Sequence, residues 1–130
     1  MTEFRLPADD LEYSVLAQLW ELGSASVRQL HERLGEPEGL VYTTTAKVID
    51  RLRGKRLIQR ERRGKAFVYR PLVAREIVDS ARAQHTVGRL LGATPHAAVA
   101  ALVEAVEAMD PNLLDALERA VAERRSKRGA

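Results

Sequence analysis

Two groups of side chains in this 130-residue sequence could do chemistry, and in both it is hydrogen bonding and charge pairing with a polyanion. The first is Tyr42-Thr43-Thr44 with Lys47 close behind. If the segment is helical, Tyr42, Thr43, Ala46, Lys47 and Asp50 share one side, while Val41, Thr45, Val48, Ile49 and Leu52 share the other. The first side is small and hydrogen-bonding near its start. A helix entering the major groove of DNA needs such a face, because its first residues must approach base edges and phosphates. Thr is a weak helix former, so three in a row cost stability unless they cap the helix or do something else. The second group is a basic run. Residues 51–70 carry nine Lys or Arg against one acid, Glu61, whereas residues 71–130 carry eight of each sign. A local excess of that size attracts polyanions, although a basic run can also be a merely solvated face.

Other chemistries are poorly served. The chain has no cysteine, which excludes disulfides, Cys-ligated zinc and thiol catalysis. His31, His85 and His96 are far apart and fall in no metal-binding spacing, so no metal site and no cofactor is expected, and each histidine is assigned to the surface or an interface. His85 and Asp79 are six residues apart on one helix, a poor chelating offset. There is no phosphate-cradling glycine loop, no nucleophile elbow and no carboxylate pair that spacing singles out. The sequence does not read as an enzyme. With 45% hydrophobic and 30% charged residues it reads as an ordinary globular chain. The first ten residues are polar, and no run approaches the ~20 apolar residues of a membrane span. No membrane association and a cytoplasmic location are the expectation.

The elements that must position these groups follow from periodicity. Asp9 is a candidate N-cap for a first helix, with Leu11, Val15, Leu19 and Leu22 at three- and four-residue steps, Leu16 and Trp20 beside them, and Gly23 as the stop. Ser26 and Gln29 have the spacing of a capping box. Val27, Leu30 and Leu34 give the second helix one apolar face, and Gly35 is expected to end it. The third helix is predicted from about Leu40 to Arg53. The period then changes. Leu57–Arg62 and Ala66–Arg70 read as two short strands joined by the turn Arg63-Gly64-Lys65. Three short helices and a basic hairpin make a winged helix-turn-helix, with Arg62, Arg63 and Lys65 at a wing tip that would lie on the phosphate backbone.

From Pro71 onward the composition is that of helices. One is predicted from Leu72 to Leu91, and Thr94-Pro95 and Asp110-Pro111 each place a capping residue before a proline, a helix start. The Pro95 segment is expected to bury Val99, Leu102, Val103 and Val106, and the Pro111 segment Leu113, Leu114, Leu117 and Val121. Helices this few enclose little core alone, so a second copy of the chain is the expected cover; the alternative is packing onto the chain's own N-terminal domain. The basic end, residues 124–128, is read as a solvated, disordered tail, the alternatives being a helix C-terminus that its cations favour through the dipole or a non-specific attraction to DNA. The fold class expected is mainly α with a small β-hairpin wing: a winged-helix DNA-binding domain over 1–71 and a helical dimerisation region over 72–130.

The stretch Val15–Pro71 resembles the penicillinase-repressor family, also called the BlaI/MecI/CopY family. The likeness is carried by Leu19-Trp20-Glu21-Leu22-Gly23, Val27-Arg28-Gln29-Leu30, Tyr42-Thr43-Thr44, Asp50-Arg51-Leu52 and the wing Gly64-Lys65-Ala66-Phe67-Val68-Tyr69-Arg70-Pro71. The resemblance implies a homodimeric transcriptional repressor on a palindromic double-stranded operator. It implies DNA contacts from Tyr42, Thr43 and Thr44 and a family position at Arg51; Arg28, Lys47 and the wing residues Arg62, Arg63 and Lys65 complete the candidate DNA-binding set. Pairing within the helix is an equal alternative for Arg51. Lys47 stands where the family commonly has Thr, and Lys65 where it often has Arg.

The family's switches transfer less well. In the beta-lactam branch a membrane sensor protease triggers cleavage, which makes such a protease a possible partner. The Asn-Phe pair associated with that cut is absent, and Leu102–Met109 offers no substitute. The copper branch's cysteine cluster is ruled out by composition. Two other readings stay open at this stage: a winged-helix protein-interaction module, against which the basic wing counts, and a ligand-responsive winged-helix regulator of the MarR type. The latter commonly dimerises through helices at both ends of its domain, and here only about ten residues precede the first helix.

Overall fold

The computed structural model describes residues 3–129. Asp9 opens α1 (Asp10–Leu22) by accepting the Glu12 N–H at 2.8 Å, which satisfies one of the donors a helix start leaves unpaired. Gly23 closes it, its N–H donating to the Leu19 carbonyl. Ser26 and Gln29 form the capping box with both reciprocal bonds, at 2.8 and 3.2 Å. They start α2 (Val27–Leu30), which widens into a π-helical turn, His31–Gly35. The expected second helix is thus an α turn followed by a π turn, a form that recurs at functional sites.

Next come α3 (Tyr42–Gly54) and a hairpin of β1 (Ile58–Arg63) and β2 (Ala66–Pro71). The strands are antiparallel, with Ile58 opposite Pro71 and Arg63 opposite Ala66. The connection is Gly64-Lys65, one residue shorter than expected. Gly64 has φ 63°, a conformation tight hairpins need at their first central position and glycine adopts without strain. Ala25 pairs with Tyr69 through two backbone bonds of 2.8 and 2.9 Å. That stitch anchors a ribbon which alone would be marginal.

The core gathers Val15, Leu16 and Leu19 of α1, Leu30 of α2, Val48, Ile49 and Leu52 of α3, and Leu57 and Ile58 before and in β1. Each such side chain contributes about 1.5–3 kcal/mol by leaving water. Two assignments on the expected inner faces change. Val41 is 66% exposed, because it is the extended N-cap residue of α3 rather than part of the helix. Leu22, in the last turn of α1, is also exposed.

Val73 and Val78 are buried in the same core. Trp20 Nε1 donates to the Val73 carbonyl at 2.9 Å, and the Tyr13 hydroxyl donates to Asp79 Oδ1 at 2.6 Å. The first compact unit therefore continues past Pro71 to Ala83 and takes in the start of α4 (Arg75–Leu91).

The second unit begins at Gln84 and holds the end of α4, α5 (Pro95–Met109) and α6 (Pro111–Gly129). Pro95 and Pro111 occupy the first helical positions; Asp110 caps by accepting the Asn112 N–H at 2.9 Å, whereas the Thr94 side chain, expected to cap α5, makes no capping hydrogen bond. α5 and α6 pack on each other, yet neither contains a buried residue. Leu102, Val106, Leu114 and Leu117 are half-buried, while Val99, Val103, Leu113 and Val121 are exposed. The basic end is not a disordered tail: residues 124–128 continue α6. Arg and Lys are good helix formers, and cations suit the negative end of the helix dipole. Among the described residues, no helix is long and apolar enough to cross a membrane.

Candidate nucleic-acid interface

The start of α3 is open. No side chain caps it, since Val41 at the N-cap has nothing to offer. The first N–H groups of the helix and the positive end of its dipole therefore face outward. Tyr42, Thr43 and Lys47 are exposed and Thr44 is half-buried. Thr43 and Lys47 are one turn apart, so hydroxyl and ammonium stack along one face.

Thr45 departs from its neighbours. It is 1% exposed, and its hydroxyl lies 2.7 Å from Nδ1 of His31. His31 is accordingly buried, not a surface histidine. Gly35 is required beside this pair for space: a Cβ there would sit 2.3 Å from both His31 Nδ1 and Thr45 Oγ1. The helical turn does end at Gly35, as expected, and close packing is the added reason that no side chain fits there.

Arg28, in α2, is well exposed and lies 3.4 Å from Glu32 one turn on. It reaches the start of α3 and the wing: Ser26, Arg28, Tyr42, Lys65 and Phe67 line one groove of about 430 Å³. A second cleft, of about 570 Å³, is lined by Arg28, His31, Glu32, Glu36 and Tyr42. Tyr42 borders both. A larger cleft, about 600 Å³, lies at the opposite end of α3 around Arg5, Lys55 and Arg56 and has no part in this face.

The wing is built in two layers by the strand period of two. On one face Phe67 packs partly against the core. The Arg60 guanidinium lies 4.0 Å above its ring and that of Arg62 lies 5.6 Å away. On the other, Glu61 Oε1 accepts from Arg63 at 3.0 Å and from Arg70 at 3.2 Å. Lys65, at the tip, has no ion pair or hydrogen bond among the described residues. Arg60 is a basic side chain that reading the sequence did not single out; only the register opposite Tyr69, beside Phe67, places it in the wing's cationic layer.

Arg51 sits apart from the others. Its Nε donates to Glu12 Oε2 at 3.1 Å, although half of its side chain remains exposed. Glu12 is 2% exposed and also accepts from Lys55 and from the Ala8 N–H. Burial by itself would raise the Glu12 pKa. The bonds from Lys55, Ala8 and Arg51 outweigh it and hold the carboxyl below the ordinary glutamate value. The fold thus brings Arg28, Tyr42 and Lys65 to one groove, carries Thr43, Thr44 and Lys47 on the same helix as Tyr42 and Arg62 and Arg63 on the hairpin that ends in Lys65, and gives Arg51 a structural partner first. No group of three or more His, Asp or Glu among the described residues could hold a metal ion.

Residues 9–123 match the family described as "Penicillinase repressor". The chain is 38% identical over 122 residues to the "Transcriptional regulator BlaI" of Mycobacterium tuberculosis, strains CDC 1551 / Oshkosh and ATCC 25618 / H37Rv. The alignment covers 88% of this chain and 82% of each relative. Among solved structures, the DNA-binding domain of the repressor BlaI superposes with a TM-score of 0.50 at 22% identity. That match covers 55% of this chain and 89% of that one, and it shows the winged-helix fold.

Proposed function

The chain belongs to the penicillinase repressor family, and from that premise we propose that it represses transcription as a homodimer on a palindromic operator, read by α3 and clamped by the wing. It is a winged-helix DNA-binding regulator and not an enzyme. Membership of this family also sets aside the MarR-type alternative. The observation that carries the reading is one groove shared by Arg28 of α2, Tyr42 of α3 and Lys65 of the wing tip, beside a helix start with no side-chain cap. Anions are stabilised at such helix ends, and the flanking cations supply phosphate contacts. Thr43, Thr44 and Lys47 would then meet base edges.

Dimerisation is argued from the second unit. Eight of its apolar side chains, Val99, Leu102, Val103, Val106, Leu113, Leu114, Leu117 and Val121, are half-buried or exposed in a single copy. A second copy covers them and sets two recognition helices on half-sites about one helical turn apart. In this reading residues 1–71 read DNA, residues 72–83 pack onto that domain, and the dimerising part of residues 72–130 is the second unit from Gln84. A cytoplasmic location belongs to the same reading. Release by a sensor protease is less well served, because Leu102–Met109 lies inside α5, where a protease reaches backbone only after the helix opens.

Sedimentation equilibrium followed by selection of genomic DNA at near-physiological salt tests the whole proposal. A dimer that enriches one palindrome supports it and supplies the operator. A chain that enriches no sequence refutes it and favours a protein-interaction role.

A further inference from the structure

Tyr42 does not stand alone at the start of α3. His31, the first residue of the π-helical turn, is 9% exposed and held by the Thr45 hydroxyl at 2.7 Å. Its ring meets that of Tyr42 edge to face, with centroids 5.4 Å apart and planes at 71°. One side of the imidazole thus faces a buried partner and the other an exposed one, since Tyr42 is 50% exposed. A histidine serving only the core would need the Thr45 bond and nothing more. Gly35 is matched to the same arrangement, because any side chain there would enter the His31–Thr45 bond.

Tyr42 borders both clefts at the start of α3. A free phenol at a helix start can occupy more than one rotamer, and fixing it on binding costs entropy. An edge contact with a ring that is itself locked removes part of that cost in advance. Such aromatic pairs change an equilibrium by roughly two- to tenfold.

We propose that His31 is a positioning residue for Tyr42: locked by Thr45, it fixes the phenol between the two clefts and thereby sets how well the protein distinguishes its operator from other DNA. The proposal deepens the DNA-binding reading above and rests on it. His31 itself need touch no DNA.

The test is a double-mutant cycle in the full chain. Wild type, His31→Leu, Tyr42→Ala and the double variant are titrated against the selected operator and a random duplex of equal length. His31→Leu is expected to weaken operator binding by roughly two- to tenfold and to leave random-duplex binding unchanged. The double variant is expected to lose no more than Tyr42→Ala alone. Additive losses, or equal losses on both duplexes, overturn the proposal. So does a Tyr42→Ala variant that binds the operator normally, an outcome that leaves the repressor reading to Thr43, Thr44 and Lys47. A wild-type protein without sequence preference would bring down both. If His31→Leu does not fold, His31→Asn keeps a polar atom near Thr45 and removes the ring. In the free protein the Tyr42 ring-proton resonances should then move relative to wild type, and unchanged resonances overturn the proposal without reference to DNA.

Discussion

Arg51 Nε lies 3.1 Å from Glu12 Oε2 across 39 residues of sequence, so the C-terminal half of α3 is tied to the first turn of α1 by a half-exposed cation on a buried carboxylate. Lys55 binds the other oxygen of the same carboxylate. The pair fixes how α3 leans on the helix behind it, and with that the angle at which the outer face is presented.

Glu12→Gln should therefore destabilise the N-terminal unit by about 3 kcal/mol, since one buried charge is lost and Lys55 is left without its partner. The pH dependence has a definite sign. The Glu12 carboxyl is depressed in the folded state, so its contribution is complete above the ordinary value of 4.5 and is lost as pH falls through the lowered one. Urea midpoints between pH 7 and pH 3 should fall more steeply for wild type than for Glu12→Gln. Parallel curves would remove Glu12 from the account.

Gly35→Ala should lower stability by about 1–3 kcal/mol, because the added methyl overlaps His31 and Thr45 in a packed core. Gly54→Ala, at the end of α3 where a Cβ meets nothing within 4 Å, should be neutral or stabilising by up to about 1 kcal/mol. Thermal melts of the two variants check this, and equal midpoints would contradict it.

Thr43→Ala and Thr44→Ala should each weaken operator binding by about 1 kcal/mol or more and random-DNA binding by much less. Fluorescence anisotropy on both duplexes measures the difference. Equal losses would mean that α3 does not read bases.

The wing gives a graded expectation. Lys65→Ala should lower the slope of log affinity against log salt by about 0.9, one phosphate's worth. Arg63→Ala should lower it by the same amount or less, because Glu61 already shares that charge. Glu61→Gln releases Arg63 and Arg70 together and should steepen the slope. A slope that ignores all three substitutions would take the wing out of the interface.

Val103→Asp places a charge on an exposed apolar position of α5. If a second copy covers that face, sedimentation should show monomers and operator affinity should fall, with the melting of the N-terminal unit unchanged. A dimer that survives Val103→Asp, and likewise Leu113→Asp, would locate the interface elsewhere.

Much of this protein was legible in its sequence because capping, helical periodicity and tight turns are local. Asp9, the Ser26–Gln29 capping box, Gly64, Asp110 and the prolines that open α5 and α6 act on residues within a turn of themselves, and their spacing in the sequence is their spacing in space. The basic wing and the outer face formed by Tyr42, Thr43 and Lys47 were readable for the same reason. Val41 was misplaced because a period cannot tell the last extended residue from the first helical one.

The tertiary structure alone decided which of these side chains already have partners. Thr45 looks like Thr43 and Thr44 in the sequence, but packing turns it inward to His31, fourteen residues away. Arg51 resembles the other basic residues until Glu12 is brought beside it. Arg60 joins the wing's cationic layer through the ring of Phe67, and Ala25 becomes a strand partner only because Tyr69 arrives next to it. These pairings join residues far apart along the chain, and no local pattern encodes them. They are settled when the apolar faces close and each buried polar group must find a partner or pay for lacking one.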